Sequence, residues 1–487
     1  MFKLNLIIIH LSFIWILYSM SIPKIIHQIW IGTKPAPTEF MDTWRDKNPD
    51  FDYIRWNEEE IVKRDMNIEC SERIDEMEEI NGKADIIRWE ILYKYGGVFL
   101  DADSICIEGI NDVLLKCKCF AGWEHEKLRP GLIATGTMGF PPKHPLVKEA
   151  IDWIKTNSVN VKETGKRAWL TVGPGLLTQM YNTGKFKDLT IFPSYSFLPI
   201  HHTGSEYTGH GKVYAYQEWG STKHNYDIMN SIQLPQQYLK PSKENSVSIL
   251  ISSFNTKAKY VQECLESIKH QQGQFNIEVV WINDGSDDLH TTLLKRLLDD
   301  FIQHTRFVEI VYNENDGNKG IGFTLNKGIE LCNNEIIIKM DSDDIMVPNR
   351  IITQMSYMTE NPDTHICGAQ IEYFNISDRV VGNTDHKSMT WEEYKINPIH
   401  WFINHPTLCY RKSSVLEAGN YNKDLREMAE DFDLELRMLK TFGYIHNMSE
   451  RLLYYRIHDQ QVTHNGGKGG TEYWNGVRND IINKLTS

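Results

Sequence analysis

The chain has 487 residues, of which 41% are hydrophobic and 11% aromatic. At roughly 100–200 residues per domain, this length predicts two to four domains, and the apolar content excludes a globally disordered chain. The 52 lysines and arginines are outnumbered by 65 aspartates and glutamates, giving a formal net charge of −13. Such an acidic chain is not expected to bind nucleic acid, because phosphate recognition requires a surplus of basic side chains.

The eight cysteines are scattered along the chain. None forms a CxxC pair, and Cys117 and Cys119 have no matching second pair, so a zinc module is not predicted. Eight cysteines in a chain of this length are also too few for a disulfide scaffold.

An apolar segment at residues 4–20 follows Lys3. Its length is at the lower limit of about 17 residues that a helix needs to cross a bilayer. We predict that residues 1–20 are a signal peptide or, because no small-x-small cleavage site precedes Ser21, an uncleaved signal anchor. The chain would then belong to the secretory pathway or be membrane-associated. The alternative is a buried first strand or helix.

Strand-like and helix-like segments alternate after this apolar segment. Lys24–Trp30 predicts a strand, and Asn81–Tyr95 predicts a helix that ends at Gly96. The short apolar run Val98–Leu100 then predicts another strand. A polar stretch at 234–246 contains two prolines and predicts a linker.

The second half of the chain repeats this alternation more clearly. Four apolar runs predict strands at Val247–Ser252, Ile277–Ile282, Phe307–Tyr312 and Glu335–Met340. We therefore predict an α/β protein with mainly parallel sheets and helices on their faces. Three of these strands end in polar residues, at the edge where open α/β sheets bind ligands.

Two aspartate pairs share one pattern. Asp101 and Asp103 follow one apolar strand, and Asp341 and Asp343 follow another. Alternate residues of an extended segment point the same way, so each pair of carboxylates converges and repels unless a cation lies between them. Hard oxygen ligands suit Mg²⁺ or Mn²⁺, which can hold a diphosphate and neutralise its charge as it leaves.

Each pair also has other interpretations. A solvated acidic turn is the simplest alternative. Phosphatases of the haloacid dehalogenase type also place an aspartate such as Asp101 after an apolar strand, as a nucleophile. The preceding Tyr95-Gly96-Gly97 does not suit that family, and no downstream lysine and aspartate can be assigned to it.

Other polar residues lie near the two pairs. Asp85 and Arg88 are three residues apart and therefore share a face of the predicted helix, either as a surface ion pair or as contacts to a sugar. Asp284 follows a strand and is either a turn residue or an acceptor for a base or ribose. Asp431 lies in an acidic helix start, where it either complements the helix dipole or acts as a general base.

The glycine-rich segment Asn318–Gly322 opens a helix pattern. Glycines let the backbone approach a ligand closely, and helix starts favour anions. Lys319 is therefore a candidate donor-binding residue.

Four segments resemble glycosyltransferase family 32, the DXD sugar transferases related to yeast α-mannosyltransferases. They are Ile25–Gly32, Ala84–Ser104, Gly139–Pro145 and Thr171–Gly175. The resemblance covers about residues 22–225. It implies a GT-A fold and a retaining transfer from a nucleotide sugar.

The same resemblance implies roles for individual residues. Asp101 and Asp103 would hold metal and nucleotide, Asp85 and Arg88 would contact the donor sugar, and Trp30 would lie near the base. A core position in the strand is the alternative for Trp30. The family often has a histidine where this chain has Gln217, and no tryptophan follows Ser221 here.

Residues 246–465 resemble glycosyltransferase family 2. The matching segments, in the expected order, are Val247–Asn255, Ile282–Asp288, Asn318–Ile329, Lys339–Asp344, Asn404–Ser413 and Met428–Met438. The resemblance implies a second GT-A domain that inverts the sugar configuration. The QxxRW motif and multiple spans of the membrane-embedded synthases are missing from the sequence, which disfavours a processive synthase.

In this second domain, Asp341 and Asp343 would form the metal–nucleotide site. Asn255 and Asp284 would line the nucleotide pocket, and Asp431 would deprotonate the acceptor hydroxyl. His458 would contact metal or phosphate, with a structural histidine as the alternative.

The sequence thus predicts a bifunctional glycosyltransferase with tandem GT-A domains at 21–233 and 247–487. Each would use one Mn²⁺ or Mg²⁺ ion and a UDP- or GDP-sugar, with a glycan or glycoprotein as acceptor. One alternative makes one domain, more readily the first because of Gln217, a glycan-binding module. Another is a metal-dependent nucleotidyltransferase, which also needs paired carboxylates.

Overall fold

The computed structural model describes residues 21–233, 235, 238–375, 377, 379–426, 429–459, 461 and 470–486. The predicted signal peptide or anchor at 1–20 lies outside these residues. The chain divides into two units: unit 1 takes its residues from Met1–Tyr207 and Lys212–Tyr238, and unit 2 from Thr208–Gly211 and Leu239–Ser487.

Unit 1 is built on a six-stranded mixed sheet and a separate two-stranded one. Its strands are β1 Ile25–Ile29, β2 Asp52–Trp56, β3 Gly97–Leu100, β4 Ser104–Cys106, β5 Cys119–His125, β6 Arg129–Phe140, β7 Leu189–Phe192 and β8 Ala215–Gln217. Its helices are α1 Thr38–Lys47, α2 Glu58–Lys63, α3 Ser71–Glu76, α4 Ile80–Tyr95, α5 Asp112–Leu115, α6 Pro145–Thr156, α7 Val161–Thr164, α8 Ala168–Thr171, α9 Pro174–Asn182 and α10 Gly220–Lys223.

The large sheet of unit 1 has the order β2-β1-β3-β6-β5-β7. Strands β2, β1 and β3 are parallel, and so are β5 and β7, whereas β6 runs antiparallel to its neighbours β3 and β5. The small sheet pairs β4 with β8 in antiparallel register. The predicted strands around β1 and β3 and the predicted helix α4 are confirmed.

Unit 2 contains a ten-stranded mixed sheet. Its strands are β9 Ser246–Ser253, β10 Asn276–Asn283, β11 Val308–Glu314, β12 Ile336–Asp341, β13 Ile345–Met346, β14 Ile366–Phe374, β15 Val380–Asn383, β16 Met389–Thr390, β17 Cys409–Arg411 and β18 Tyr444–Arg456. Its helices are α11 Ala258–Lys269, α12 Asp288–Gln303, α13 Ile321–Leu331, α14 Arg350–Glu360, α15 Trp391–Ile396, α16 Lys412–Glu417, α17 Glu430–Phe442 and α18 Gly470–Thr486.

The first four strands of unit 2, in the order β11-β10-β9-β12, are parallel, and all four predicted strands are confirmed. The sheet continues through β17 and β14 to β18 and β13, with β15 and β16 at its side. Strands β9 and β10 are buried along almost their whole length, as near-continuous apolar runs predict for a parallel sheet covered on both faces. All eight cysteines are free thiols.

None of the helices among the described residues is long and apolar enough to cross a membrane.

Two adjacent glycines set the start of strand β3. Gly96 ends helix α4 with a φ of +65°, and Gly97 continues with a φ of +97°. A Cβ atom on Gly97 would lie 2.6 Å from the carbonyl oxygen of Ile25 in β1. Because only glycine tolerates both constraints, the chain turns directly from the helix into β3. This turn places Asp101 at the carboxyl end of the strand.

We expect Gly97→Ala to lower the free energy of unfolding by about 2 kcal/mol or more, because the positive φ and the Ile25 oxygen both oppose a methyl group. Urea denaturation followed by tryptophan fluorescence measures this loss. Gly131→Ala is the matched control, since Gly131 has a φ of +80° but no atom within 4 Å of an added Cβ. A loss in Gly97→Ala no greater than in the control would contradict the steric argument.

Candidate active sites

In unit 1, Asp101 lies where β3 meets β6. Its backbone N–H donates to the carbonyl of Gly136 at 2.8 Å. A Cβ atom on Gly136 would lie 2.7 Å from Asp101 Oδ2, so β6 passes close to the carboxylate. Asp101 Oδ1 accepts a hydrogen bond from the Arg88 guanidinium at 2.6 Å.

The second carboxylate, Asp103, is held by the segment that follows β8. The Gly220 N–H donates to Asp103 Oδ2 at 2.6 Å, and the Gln217 side-chain amide donates to Asp103 Oδ1. Gln217 Nε2 also lies 3.4 Å from Asp101 Oδ2. The residue that departs from the family 32 pattern therefore contacts both carboxylates of the pair.

Burial makes these carboxyls reluctant to ionise. The pKa of Asp103 is raised to about 7, first by burial and then by the charge of Asp101, although the Gly220 N–H and Gln217 oppose the rise. The pKa of Asp85 is raised to about 6 by burial, with Arg88 opposing and Asp101 adding to the shift. Three carboxyl groups, those of Asp85, Asp101 and Asp103, thus share the single guanidinium of Arg88. A site with this excess of acidic groups suits a divalent cation.

Arg88 is central to the same site. Its guanidinium lies 3.1 Å from Asp85 Oδ1, donates to the Thr135 carbonyl at 2.6 Å and lies 4.2 Å from the centre of the Phe99 ring. The side chains of Asp85 and Arg88 are only 10% and 6% exposed, so the surface ion pair considered for them is wrong. Arg88 instead ties helix α4 to the carboxylate of Asp101.

Trp30 lies just beyond β1 and is partly buried. Its indole N–H donates to the Lys34 carbonyl at 2.7 Å, and its ring meets Tyr226 edge-on at 5.3 Å. Burial raises the pKa of Tyr226, and the charges of Asp103 and Asp101 raise it further. Tyr226 therefore contacts Trp30 and is near enough to the aspartate pair for its pKa to respond to their charges. It was missed in the sequence because it stands in a polar stretch without a strand or helix pattern.

In unit 2, Asp343 contacts a residue from the far end of the chain. His458 Nε2 lies 2.9 Å from Asp343 Oδ2, so the structure brings together two of the predicted metal-site residues. Arg456 Nε donates to the Asp343 carbonyl at 2.8 Å, and the Arg456 backbone N–H donates to Asp344 Oδ1 at 2.9 Å. The end of β18 thereby fixes the acidic loop after β12.

Asp341 faces a buried lysine that the sequence analysis did not single out. The Lys339 ammonium is fully buried and donates to Asp341 Oδ1. Burial alone would raise the pKa of Asp341, but the charge of Lys339 and its hydrogen bond to the carboxylate lower it below its usual value. Lys339 was overlooked because a residue inside an apolar strand is expected to be uncharged.

His405 links Asp341 to the predicted base. The pKa of His405 is lowered to about 4 by burial and by Lys339, while the charges of Asp431 and Asp341 oppose the shift. His405 Nε2 lies 2.9 Å from the Tyr421 hydroxyl. The predicted base Asp431 is therefore within electrostatic range of the same histidine as Asp341.

The two acids at the start of α17 differ in environment. Glu430 is 5% exposed, and burial together with the charge of Asp431 raises its pKa well above the usual value. Asp431 is only partly buried. The geometry thus leaves Asp431 as the more accessible carboxylate.

Three predicted donor-binding residues gather at the carboxyl ends of β9 and β10. Asp284 accepts hydrogen bonds from the backbone N–H groups of Lys319 and Gly320 at 2.9 and 3.0 Å. The Lys319 ammonium lies 3.2 Å from Asp316. Asn255 Oδ1 accepts from the Asp287 N–H at 2.9 Å. Asp284 thus fixes the glycine-rich loop, and Asn255 fixes the loop after β10.

Comparison with known proteins agrees with both halves of the chain. The model of "Glycosyl transferase family 2" matches residues 248–418, and the model of "Glycosyltransferase sugar-binding region containing DXD motif" matches residues 38–120. The second match includes both Asp101 and Asp103.

Two curated bacterial relatives cover just under half of the chain. The amylovoran biosynthesis glycosyltransferase AmsE of Erwinia amylovora is 28% identical over 245 residues, which is 48% of this chain and 82% of the relative. The O-antigen biosynthesis glycosyltransferase WbnJ of Escherichia coli is 32% identical over 209 residues, which is 42% of this chain and 77% of the relative.

Among solved structures, residues 1–349 of S. aureus TarS in complex with UDP-GlcNAc are 18% identical, with a TM-score of 0.37. The match covers 45% of this chain and 60% of that one.

The family matches and the parallel strands that lead to each acidic loop agree with the predicted GT-A fold. The chain is a glycosyltransferase: its C-terminal half belongs to family 2, and its N-terminal half carries the DXD-containing sugar-binding region of glycosyltransferases.

Proposed function

We propose that the chain has two sugar-transfer sites, a retaining one in unit 1 and an inverting one in unit 2. The observation that carries the proposal is that each unit has its own aspartate pair at the end of a buried strand. Each pair is fixed by residues of the same unit, Arg88 and Gln217 in unit 1 and Lys339 and His458 in unit 2. The products named for the bacterial relatives, amylovoran and O-antigen, support a glycan as acceptor.

The residues present fit a divalent cation in both units. Asp101 and Asp103 would hold one ion, and Asp341 and Asp343 with His458 would hold the other. The raised pKa of Asp103 supports this assignment, since a cation would relieve the repulsion that now favours its protonated form. When bound, Mn²⁺ or Mg²⁺ supplies charge neutralisation for the nucleoside diphosphate that leaves.

In the inverting site, we assign Asp431 as the general base. Its carboxylate would accept the proton of the acceptor hydroxyl while that oxygen attacks the sugar from the face opposite the diphosphate. We do not assign this role to Glu430, because its side chain is buried and less accessible to an acceptor than that of Asp431. The low pKa of His405 keeps its ring neutral, so Asp431 is not paired with a cationic imidazole.

In the retaining site, Asp85 and Arg88 are the proposed sugar contacts. Arg88 also holds Asp85 and Asp101 in one arrangement through contacts at 3.1 and 2.6 Å. Buried ion pairs of this kind fix geometry strongly, because loss of one partner leaves an uncompensated charge. Trp30 would supply a ring near the nucleotide base, and Tyr226 packs edge-on against that ring.

A second candidate function applies to unit 1 alone. The Gln217 amide already donates to Asp103, and this contact favours a site that binds a glycan without a metal or a nucleotide. Calorimetry with the full chain and a glycan panel, with and without Mn²⁺, separates the two functions.

We also propose that residues 4–20 direct the chain to the secretory pathway or to a membrane. This proposal rests on the apolar sequence of that segment alone.

We expect Asp101→Asn and Asp343→Asn each to reduce one of two transfer activities by about 100-fold or more, because each removes a metal ligand. Mass spectrometry of reactions with a panel of UDP- and GDP-sugars and Mn²⁺ measures both activities. Asp75→Asn, at an exposed aspartate, is the control. If either substitution removed both activities, the chain would have one shared site.

We expect Asp431→Asn to lower kcat of the inverting reaction by at least about 100-fold with little change in the KM for the donor, because the base acts only on the acceptor. Glu430→Gln is the matched control and should keep most of the activity, since Glu430 is buried and does not reach the acceptor. Equal losses in both variants would contradict the assignment of the base.

We expect the stability of the metal-free protein to fall as pH rises from about 4 to about 7. The native pKa of Asp103 is about 7 against 3.8 normally, so the native state binds this proton more tightly than the unfolded chain over that range. Its contribution is present at low pH and lost as pH rises through the native pKa.

Thermal unfolding in EDTA across this pH range tests the expectation. Asp103→Asn has no titrating group at this position and should show a flatter dependence, whereas Asp75→Asn should behave as the unmodified protein does. An unchanged slope in Asp103→Asn would mean that this carboxyl does not titrate as argued.

A further inference from the structure

We propose that unit 1 contains a second metal site, formed by Glu124, His201 and His202 and separate from the aspartate pair. Each residue offers one ligand atom, and these atoms lie within 4.8 Å of one another. Two imidazoles and one carboxylate form a ligand set that suits a first-row transition ion such as Zn²⁺ better than Mg²⁺.

A strand and a hydrogen-bonded turn position the three ligands. Glu124 is the penultimate residue of β5, and the two histidines lie in the segment between β7 and β8. The His201 backbone N–H donates to the Ser205 carbonyl at 2.9 Å, and the Gly204 N–H donates back to the His201 carbonyl at 2.8 Å. These bonds form a tight turn that fixes the histidine backbone beside the strand.

His201 has a buried nitrogen with no hydrogen-bond partner among the described residues. Its side chain is 1% exposed, and Nε2 lies 3.6 Å from Glu124 Oε1. An unsatisfied buried polar atom is costly, and native structures rarely keep one without a reason. A cation between His201 Nε2 and Glu124 would satisfy it.

The other nitrogen of His201 is held by a single residue. The Thr203 backbone N–H donates to Nδ1 at 3.4 Å, and the Thr203 hydroxyl oxygen lies 2.8 Å from Nδ1. These contacts orient the ring through its second nitrogen, as in metal-binding histidines. They leave Nε2, the atom without a partner, on the side of Glu124, where it binds an ion by releasing a proton.

Arg129 is the cation that competes for Glu124. Its guanidinium lies 3.8 Å from Glu124 Oε1, a long contact, and its side chain is 44% exposed. A long contact to an exposed arginine contributes little to stability. The Arg129 side chain can therefore turn towards solvent when a metal binds Glu124.

The site adjoins the segment that holds Asp103. The Trp219 ring packs against His201 and His202 at 5.4 and 5.3 Å, and its indole N–H donates to the Ile200 carbonyl at 2.9 Å. The next residue, Gly220, donates to Asp103. A metal at the histidines would therefore order the chain that positions the aspartate pair.

A second group of ligand atoms lies on Cys119, His144 and Asp188, but both ring nitrogens of its histidine have partners. His144 Nδ1 accepts from the Leu146 N–H at 3.3 Å, and Nε2 lies 3.4 Å from Asp188 Oδ2. The unsatisfied buried atom that supports the Glu124 site has no counterpart at His144, so this group serves as a control.

The test uses the full chain stripped of metal by chelation. Equilibrium dialysis against Zn²⁺ with elemental analysis gives the stoichiometry and Kd, and the visible spectrum with Co²⁺ reports imidazole coordination without any sugar transfer. We expect a Zn²⁺ ion that is retained both in Asp103→Asn and in Asp343→Asn. Its Kd should rise at least about 10-fold in His202→Asn and in Glu124→Gln, as the loss of one ligand implies.

His202 and Glu124 are only partly buried, so these variants should fold, which circular dichroism checks. Cys119→Ser is the matched control and should keep the ion. The proposal is overturned if the unmodified protein binds no Zn²⁺ at micromolar concentration. It is also overturned if both ligand variants bind Zn²⁺ unchanged, or if Cys119→Ser loses the ion instead.

Discussion

Like charges held close together at the ends of buried strands are the constraint on which both sites depend. A carboxylate in low dielectric repels a second one strongly, and the repulsion must be relieved by a proton, by a cationic side chain or by a bound ion. Unit 1 relieves it with the buried guanidinium of Arg88 at Asp101, while burial and the charge of Asp101 raise the pKa of Asp103. Unit 2 relieves it with the buried ammonium of Lys339. The elements around each pair supply the groups that hold it in place.

The parts of the fold that were predictable from sequence are those with a strong local signal. The continuous apolar runs of β9, β10 and β12 have few alternatives in an α/β protein, and the helix before Gly96 has a clear end. The aspartate pairs were found because they follow such strands directly. Later additions to the sheet such as β17 and β18 depend on pairing between distant segments, which local periodicity does not encode.

The contacts within the sites were less predictable for the same reason. Gln217 was noticed only as a departure from a family pattern, yet its amide contacts both carboxylates of unit 1. Tyr226 acquires its importance from Asp101 and Asp103, and His405 from Lys339 and Asp341, all of them more than 60 residues away in sequence. A spacing of three residues along a helix predicts that Asp85 and Arg88 share a face. It does not indicate whether that face is buried, so the burial of Arg88 was not predictable.

The buried Lys339 has a consequence for how the two sites are charged. The counter-ion of Asp341 is a side chain of strand β12 and is buried, so surrounding salt screens this ion pair only weakly. Asp103 has only neutral donors, from Gly220 and Gln217, and must take a proton or a metal from solution. Each unit thus supplies a buried cation for one carboxylate of its pair, Lys339 for Asp341 and Arg88 for Asp101. In the N-terminal site it is therefore Asp103 whose charge depends on the protons and ions of the surrounding compartment.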